Sequence, residues 1–243
     1  MIGQPGKYAV PNSLLLLGAA HEYETASAYQ SNGRAALIDH KLGRVYERWG
    51  RRDRALSYYE SAAAATEDDG SRARVYADWS LTEHREGHDE RSRALIELAL
   101  KDAQSADDPR ALAQCHSILG ILARAEGNGD AAQKYLAQSL EFAELLDDPE
   151  ARAAALNNLA LALASQSELE EAVRLEQEAL QISEGLGDRH RSAAIHSNLA
   201  DMLHQSGDEQ AAKEHLTQSA AHFAEVGVAS GSYEPEIWKL VDW

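Results

Sequence analysis

Leu42-Gly43-Arg44-Val45-Tyr46-Glu47-Arg48-Trp49-Gly50 decides the fold. An apolar–small pair is followed seven residues later by glycine, and then by Ala55 and Ala62, 12 and 19 residues past Gly43. Outward along the chain the same spacing recurs after Trp79-Ser80, Leu119-Gly120, Leu159-Ala160 and Leu199-Ala200. The second members of successive pairs lie 37, 40, 40 and 40 residues apart. The turn position holds Gly50, Gly87, Gly127, Ser167 and Gly207 in turn. The first small position holds Ala55, Ser92, Ala132, Ala172 and Ala212; the second holds Ala62, Ala99, Ser139, Ala179 and Ser219. Four features held in register five times define an internal repeat.

Each unit reads as two helices. A small residue after Leu or Trp lets a second helix approach, glycine closes the first helix and reverses the chain, and the later small residues mark the crossing. One hairpin cannot bury its apolar face alone, so hairpins stack around a continuous core. No sustained alternation of β-branched and polar residues argues for strands. Composition agrees with a globular chain: 243 residues, 44% hydrophobic, 26% charged and only 6% aromatic, so alanine and leucine fill the interior.

The pattern resembles the tetratricopeptide repeat family, most specifically in Leu42, Gly43, Tyr46, Gly50, Ala55, Tyr59 and Ala62. The resemblance covers about residues 36 to 228. It weakens in the second unit, where Trp79, Ser80, Glu83 and Ser92 stand, and at Ser167. The family unit is about 34 residues long. The excess here falls after the second small position, as in the longer-repeat subgroup, and the chain resembles the C-terminal repeat segment of large bacterial ATPase or cyclase regulators. Asp108-Pro109 and Asp148-Pro149 punctuate the junctions as an N-cap followed by proline in the first helical turn. The expected architecture is all-α: a right-handed α-solenoid of about five helix-turn-helix repeats over residues 34–228. An arm and capping helix (1–33) precede it and a capping helix or tail (229–243) follows.

By resemblance, the first helices line a concave groove, and six Lys/Arg (Lys41, Arg44, Arg48, Arg74, Arg85, Arg124) stand on it against three acids (Glu47, Asp78, Asp201). The chain as a whole carries −17. A basic hollow in an acidic body favours anionic segments. The opposing reading is that these cations lie over apolar surface and pair with local carboxylates. Asn158 and Asn198 occupy equivalent positions, with Asn157 and Ser197 beside them. An amide offers a donor and an acceptor together, and so grips a peptide backbone whatever its sequence; alternatively these amides bond neighbouring helices. The expected peptide-binding residues are Arg44, Arg48, Arg85, Arg124, Asn157, Asn158, Asn198 and His204.

Catalytic, metal and cofactor sites are not expected. His84 and His88 flank Gly87, His196 and His204 are two turns apart with His196 facing the core, and neither pair has a metal-ligand spacing signature. Cys115, the one cysteine, reads as a small packed residue in a reducing compartment. The acidic charge disfavours nucleic acid. No apolar run reaches the roughly 20 residues that span a membrane. The reading is a cytoplasmic, non-enzymatic module of a bacterial regulatory or signalling protein that binds an extended, partly acidic peptide or protein segment. The alternative is a self-assembly or intramolecular scaffold acting through the tail or convex face.

Overall fold

The structure is a computed structural model, describing residues 18, 21, 23, 32–48 and 50–225. The expected N-terminal arm and the C-terminal cap at 229–243 lie outside the described residues, as does most of the first capping helix. Between Asn32 and Glu225 the described residues form ten helices and no strand. They are α1 (Asn32–Arg48), α2 (Arg52–Ala65), α3 (Asp69–Arg85), α4 (Asp89–Ala106), α5 (Pro109–Ala125), α6 (Gly129–Glu144), α7 (Pro149–Ser165), α8 (Leu169–Gly185), α9 (Arg189–Ser206) and α10 (Glu209–Glu225). They pair as five hairpins, so the chain is an all-α helical repeat protein.

The repeat signature has a visible physical cause at each position. Gly50, Gly87, Gly127 and Gly207 have φ of 74°, 79°, 75° and 88°, the left-handed conformation that lets a helix end and turn back. Ser167 takes the same place at φ 65°, where a side chain is strained. A Cβ on Gly43 would sit 2.4 Å from the Tyr59 ring, and one on Gly120 2.4 Å from Leu136 Cγ, so the pair glycines are where the two helices of a hairpin cross. In the second hairpin a serine pair replaces that contact: Ser80 Oγ donates to the Ser92 carbonyl at 2.8 Å. Both rows of small residues are buried throughout. Asp108 and Asp148 cap α5 and α7 by accepting backbone N–H groups of the first turn, with proline beginning each helix.

The chain divides into two compact units, Met1–Asp102 and Ala103–Trp243. The first is held by Leu42, Tyr46, Tyr59, Val75, Trp79 and Leu95. Trp79, the departure from the leucine pattern, donates its Nε1–H to Glu83 at 2.9 Å. Glu83 is fully buried, and His88 and Arg91 also meet its carboxylate, at 2.8 and 2.9 Å. The second unit centres on Leu136, Leu156, Leu163, Ile195, Leu199 and Met202. In it α5, α7 and α9 bury most of their residues, whereas α6, α8 and α10 bury a single stripe. The first helices are thus the inner layer, with α7 touching both α5 and α9.

Candidate functional site

The inner layer of the second unit is closed along one half and open along the other. Gln114, Ser117 and Ile118 on α5, Ala154, Asn157 and Asn158 on α7, and Ala194 and Asn198 on α9 are all buried. Alanine and serine here let successive first helices touch directly. Toward the helix C-termini the wall opens: Arg124, Leu161, Ala164, Ser165, Asp201 and His204 keep solvent access.

The amides are taken up by one another, which is the second of the two arrangements the sequence left open, amides that bond neighbouring helices, rather than an outward-facing ladder. Asn158 Nδ2 donates to Ser117 Oγ at 3.0 Å, Asn157 Nδ2 to Asn158 Oδ1 at 3.4 Å, and Asn198 Nδ2 to Asn157 Oδ1 at 3.0 Å. This chain crosses from α5 through α7 to α9. The cause is the close approach of the helices: an amide shut away from water must find its partner inside the protein.

The second N–H of Asn198 donates to Glu176 Oε1 at 2.8 Å. Glu176 is a residue that the sequence reading missed. It stands 16 residues past Ala160, where the other hairpins place Tyr59, Ile96, Leu136 and Leu216. A carboxyl in that apolar series is the signal that could have revealed it. Glu176 is wholly buried, and burial pushes its pKa up to about 8, opposed only by the hydrogen bond from Asn198.

The predicted cations divide into two kinds. In the first unit Arg85 Nη1 meets Glu47 at 3.3 Å, and Arg44 Nε lies 3.8 Å from Asp78, which also takes His40 Nε2 at 2.8 Å. Tyr59 donates its hydroxyl to the other Glu47 oxygen at 2.9 Å. These charges are neutralised locally, tying α1 to α2 and α3. Arg48 is the last residue of α1. Arg124, in the second unit, is half-buried and has no ion-pair partner among the described residues; burial alone lowers its pKa. His204 is exposed and meets Glu209 at 2.8 Å.

The structure also gathers histidines that the sequence left apart. His196 Nδ1 lies 2.8 Å from His215 Nδ1, and the His196 and His222 rings stack with centroids 5.6 Å apart. Burial, then the nearby His215 and His222, hold the His196 pKa down to about 4, so the imidazole is neutral at pH 7. His215 and His222 are two turns apart on α10 and share a face. The approach of α9 to that face is a tertiary fact. His84 and His88 go to separate carboxylates, Asp89 and Glu83. Cys115 is buried, as expected. No helix among the described residues is long and apolar enough to cross a membrane.

Two family models described as tetratricopeptide repeat match the chain, one over residues 151–225 and the other over residues 40–73. Residues 40–73 and 151–225 carry tetratricopeptide repeats. No curated protein matches the chain. Among solved structures, the chain is similar to BtubC (BKLC) from P. vanneervenii, with TM-score 0.68 and 18% identity over 98% of this chain and 99% of that one. A Rap protein complexed with competence and sporulation factor is similar at TM-score 0.71 and 17% identity, over 93% of this chain and 68% of that one. The third is a Signal Transduction ATPase with Numerous Domains protein, with a tetratricopeptide repeat sensor, from Pyrococcus horikoshii. It gives TM-score 0.68 and 16% identity over 79% of this chain, which spans 30% of that protein's length. At these identities the likeness is one of fold.

Proposed function

We propose that the chain is a non-enzymatic protein-interaction module. Its open inner wall, formed by the C-terminal halves of α5, α7 and α9, receives an extended partner segment bearing a carboxylate. The observation that carries this reading is Arg124: a guanidinium drawn partly out of water without an ion-pair partner among the described residues is a site that an incoming anion completes. Leu161 and Ala164, part-exposed on α7, supply apolar surface on the same wall, and His204 a polar rim. The amide chain holds the wall in register from behind. Two neighbours in fold support a regulatory or signalling setting: the Rap protein in complex with its factor and the ATPase with its repeat sensor.

An array of 15-residue peptides graded in net charge, probed with the full chain and with Arg124→Glu, tests this. Acidic peptides should be selected by the unmodified chain and lost at least tenfold by Arg124→Glu, with the melting temperature unchanged. Equal retention of acidic and basic peptides, or binding that survives Arg124→Glu, would overturn it.

A further inference from the structure

Glu184 on α8, His196 on α9 and His222 on α10 converge from three successive helices of the second unit. One ligand atom from each lies within 4.8 Å of the other two. His196 Nε2 is 3.8 Å from Glu184 Oε1. His222 Nδ1 is buried and has no hydrogen-bond partner, its nearest carboxylate oxygen being Glu225 Oε2 at 3.6 Å. The remaining nitrogen of His196, Nδ1, is engaged by His215 at 2.8 Å.

We propose that Glu184, His196 and His222 form a binding site for a divalent transition-metal ion of the zinc type, with His215 as the outer partner that orients His196. Two imidazoles and one carboxylate suit zinc, nickel or copper rather than calcium or magnesium, which take oxygen ligands. Bond lengths of about 2.0–2.2 Å put tetrahedral ligand atoms roughly 3.4 Å apart. The present spacing, at most 4.8 Å, therefore needs to close by up to about 1.4 Å. Glu184 can move to close it, since its side chain is 55% exposed. The His196–His215 contact is the outer-shell hydrogen bond that sets which imidazole nitrogen faces a metal. Three protein ligands leave a fourth position for water or a partner's donor atom. An ion there would tie α8, α9 and α10 together and rigidify the last hairpin.

Calorimetric titration of the full chain with zinc chloride at neutral pH, paired with cobalt(II) absorption spectroscopy, tests the site. The expected result is one ion per chain, cobalt bands of tetrahedral intensity, and a melting temperature raised by zinc. Glu184→Gln should weaken binding at least tenfold while leaving the metal-free melting temperature in place, because that side chain is exposed. His222→Gln should remove the tetrahedral cobalt bands. His215→Ala should weaken binding about 10- to 100-fold, and His84→Ala, in the first unit, should leave it unchanged. Absence of saturable binding overturns the proposal, and so does binding that is within twofold of the original in both Glu184→Gln and His222→Gln. None of these readouts involves Arg124, so the peptide-binding reading stands or falls separately.

Discussion

Asn198 donates to the side-chain oxygen of Asn157 at 3.0 Å, joining the first helices of the fourth and fifth hairpins through two buried amides. Its other N–H holds the Glu176 carboxyl at 2.8 Å. One side chain thus satisfies two groups that have no route to water. A slip of α9 against α7 would strand both, so the contact specifies the register of the stack as well as strengthening it.

Asn198→Ala should therefore act on stability. It removes two hydrogen bonds and leaves two buried acceptors without this donor, at a cost of about 2–4 kcal/mol. Urea unfolding followed by circular dichroism reads this as a lower midpoint with little change in slope. A loss below about 0.5 kcal/mol would mean that water or repacking replaces the amide.

Glu176 should make the chain less stable as pH rises. Its folded pKa, about 8, lies above the unfolded carboxyl value, so between roughly pH 4.5 and 8 the folded state holds a proton that the unfolded state has lost. Stability from this group is full below that window and falls across it, by up to about 1.4 kcal/mol per pH unit. Glu176→Gln keeps an acceptor for Asn198 and abolishes the titration. The difference in urea midpoint between Glu176→Gln and the original chain should grow from pH 5 to pH 8; a constant difference contradicts the assignment.

Ser167→Gly should stabilise. Serine at φ 65° carries left-handed strain that glycine does not, partly offset by the greater freedom of glycine in the unfolded chain. The net gain should be about 0.5–1 kcal/mol, seen as a higher melting temperature. Gly127→Ala, at φ 75°, should shift it the other way by about 1 kcal/mol.

Gly120→Ala should destabilise by about 1–3 kcal/mol, because its new methyl would meet Leu136, itself only 2% exposed. Leu136→Ala alone leaves a cavity. The two together should cost less than their sum in a double-mutant cycle, since the added methyl enters the space that leucine vacates. Additive costs would show that the hairpin crossing adjusts elsewhere.

The hairpins were legible in the sequence because their determinants are local. Gly50 and Gly127 are needed for a left-handed turn, Gly43 and Gly120 for a close crossing, and Asp108-Pro109 for a helix start. Each works within one hairpin or at one junction, at a constant offset. The wall was less legible. Resemblance located the face on which Arg124 and Asn158 stand, but how near α5, α7 and α9 come to one another cannot be read from spacing. That nearness turned Asn157, Asn158 and Asn198 toward each other, and similar proximity in the first unit set Arg85 against Glu47.

Glu176 was visible as a break in an apolar series, whereas the union of His196 with His222 required α10 to fold back across α9. The sequence by itself determined the hairpins, since turn, cap and crossing act over short stretches of chain. Only the tertiary structure decided which polar side chains remain open to a ligand. That depends on which partners reach them first from helices far along the chain, such as Glu176 for Asn198, 22 residues away, and Ser117 for Asn158, 41 residues away.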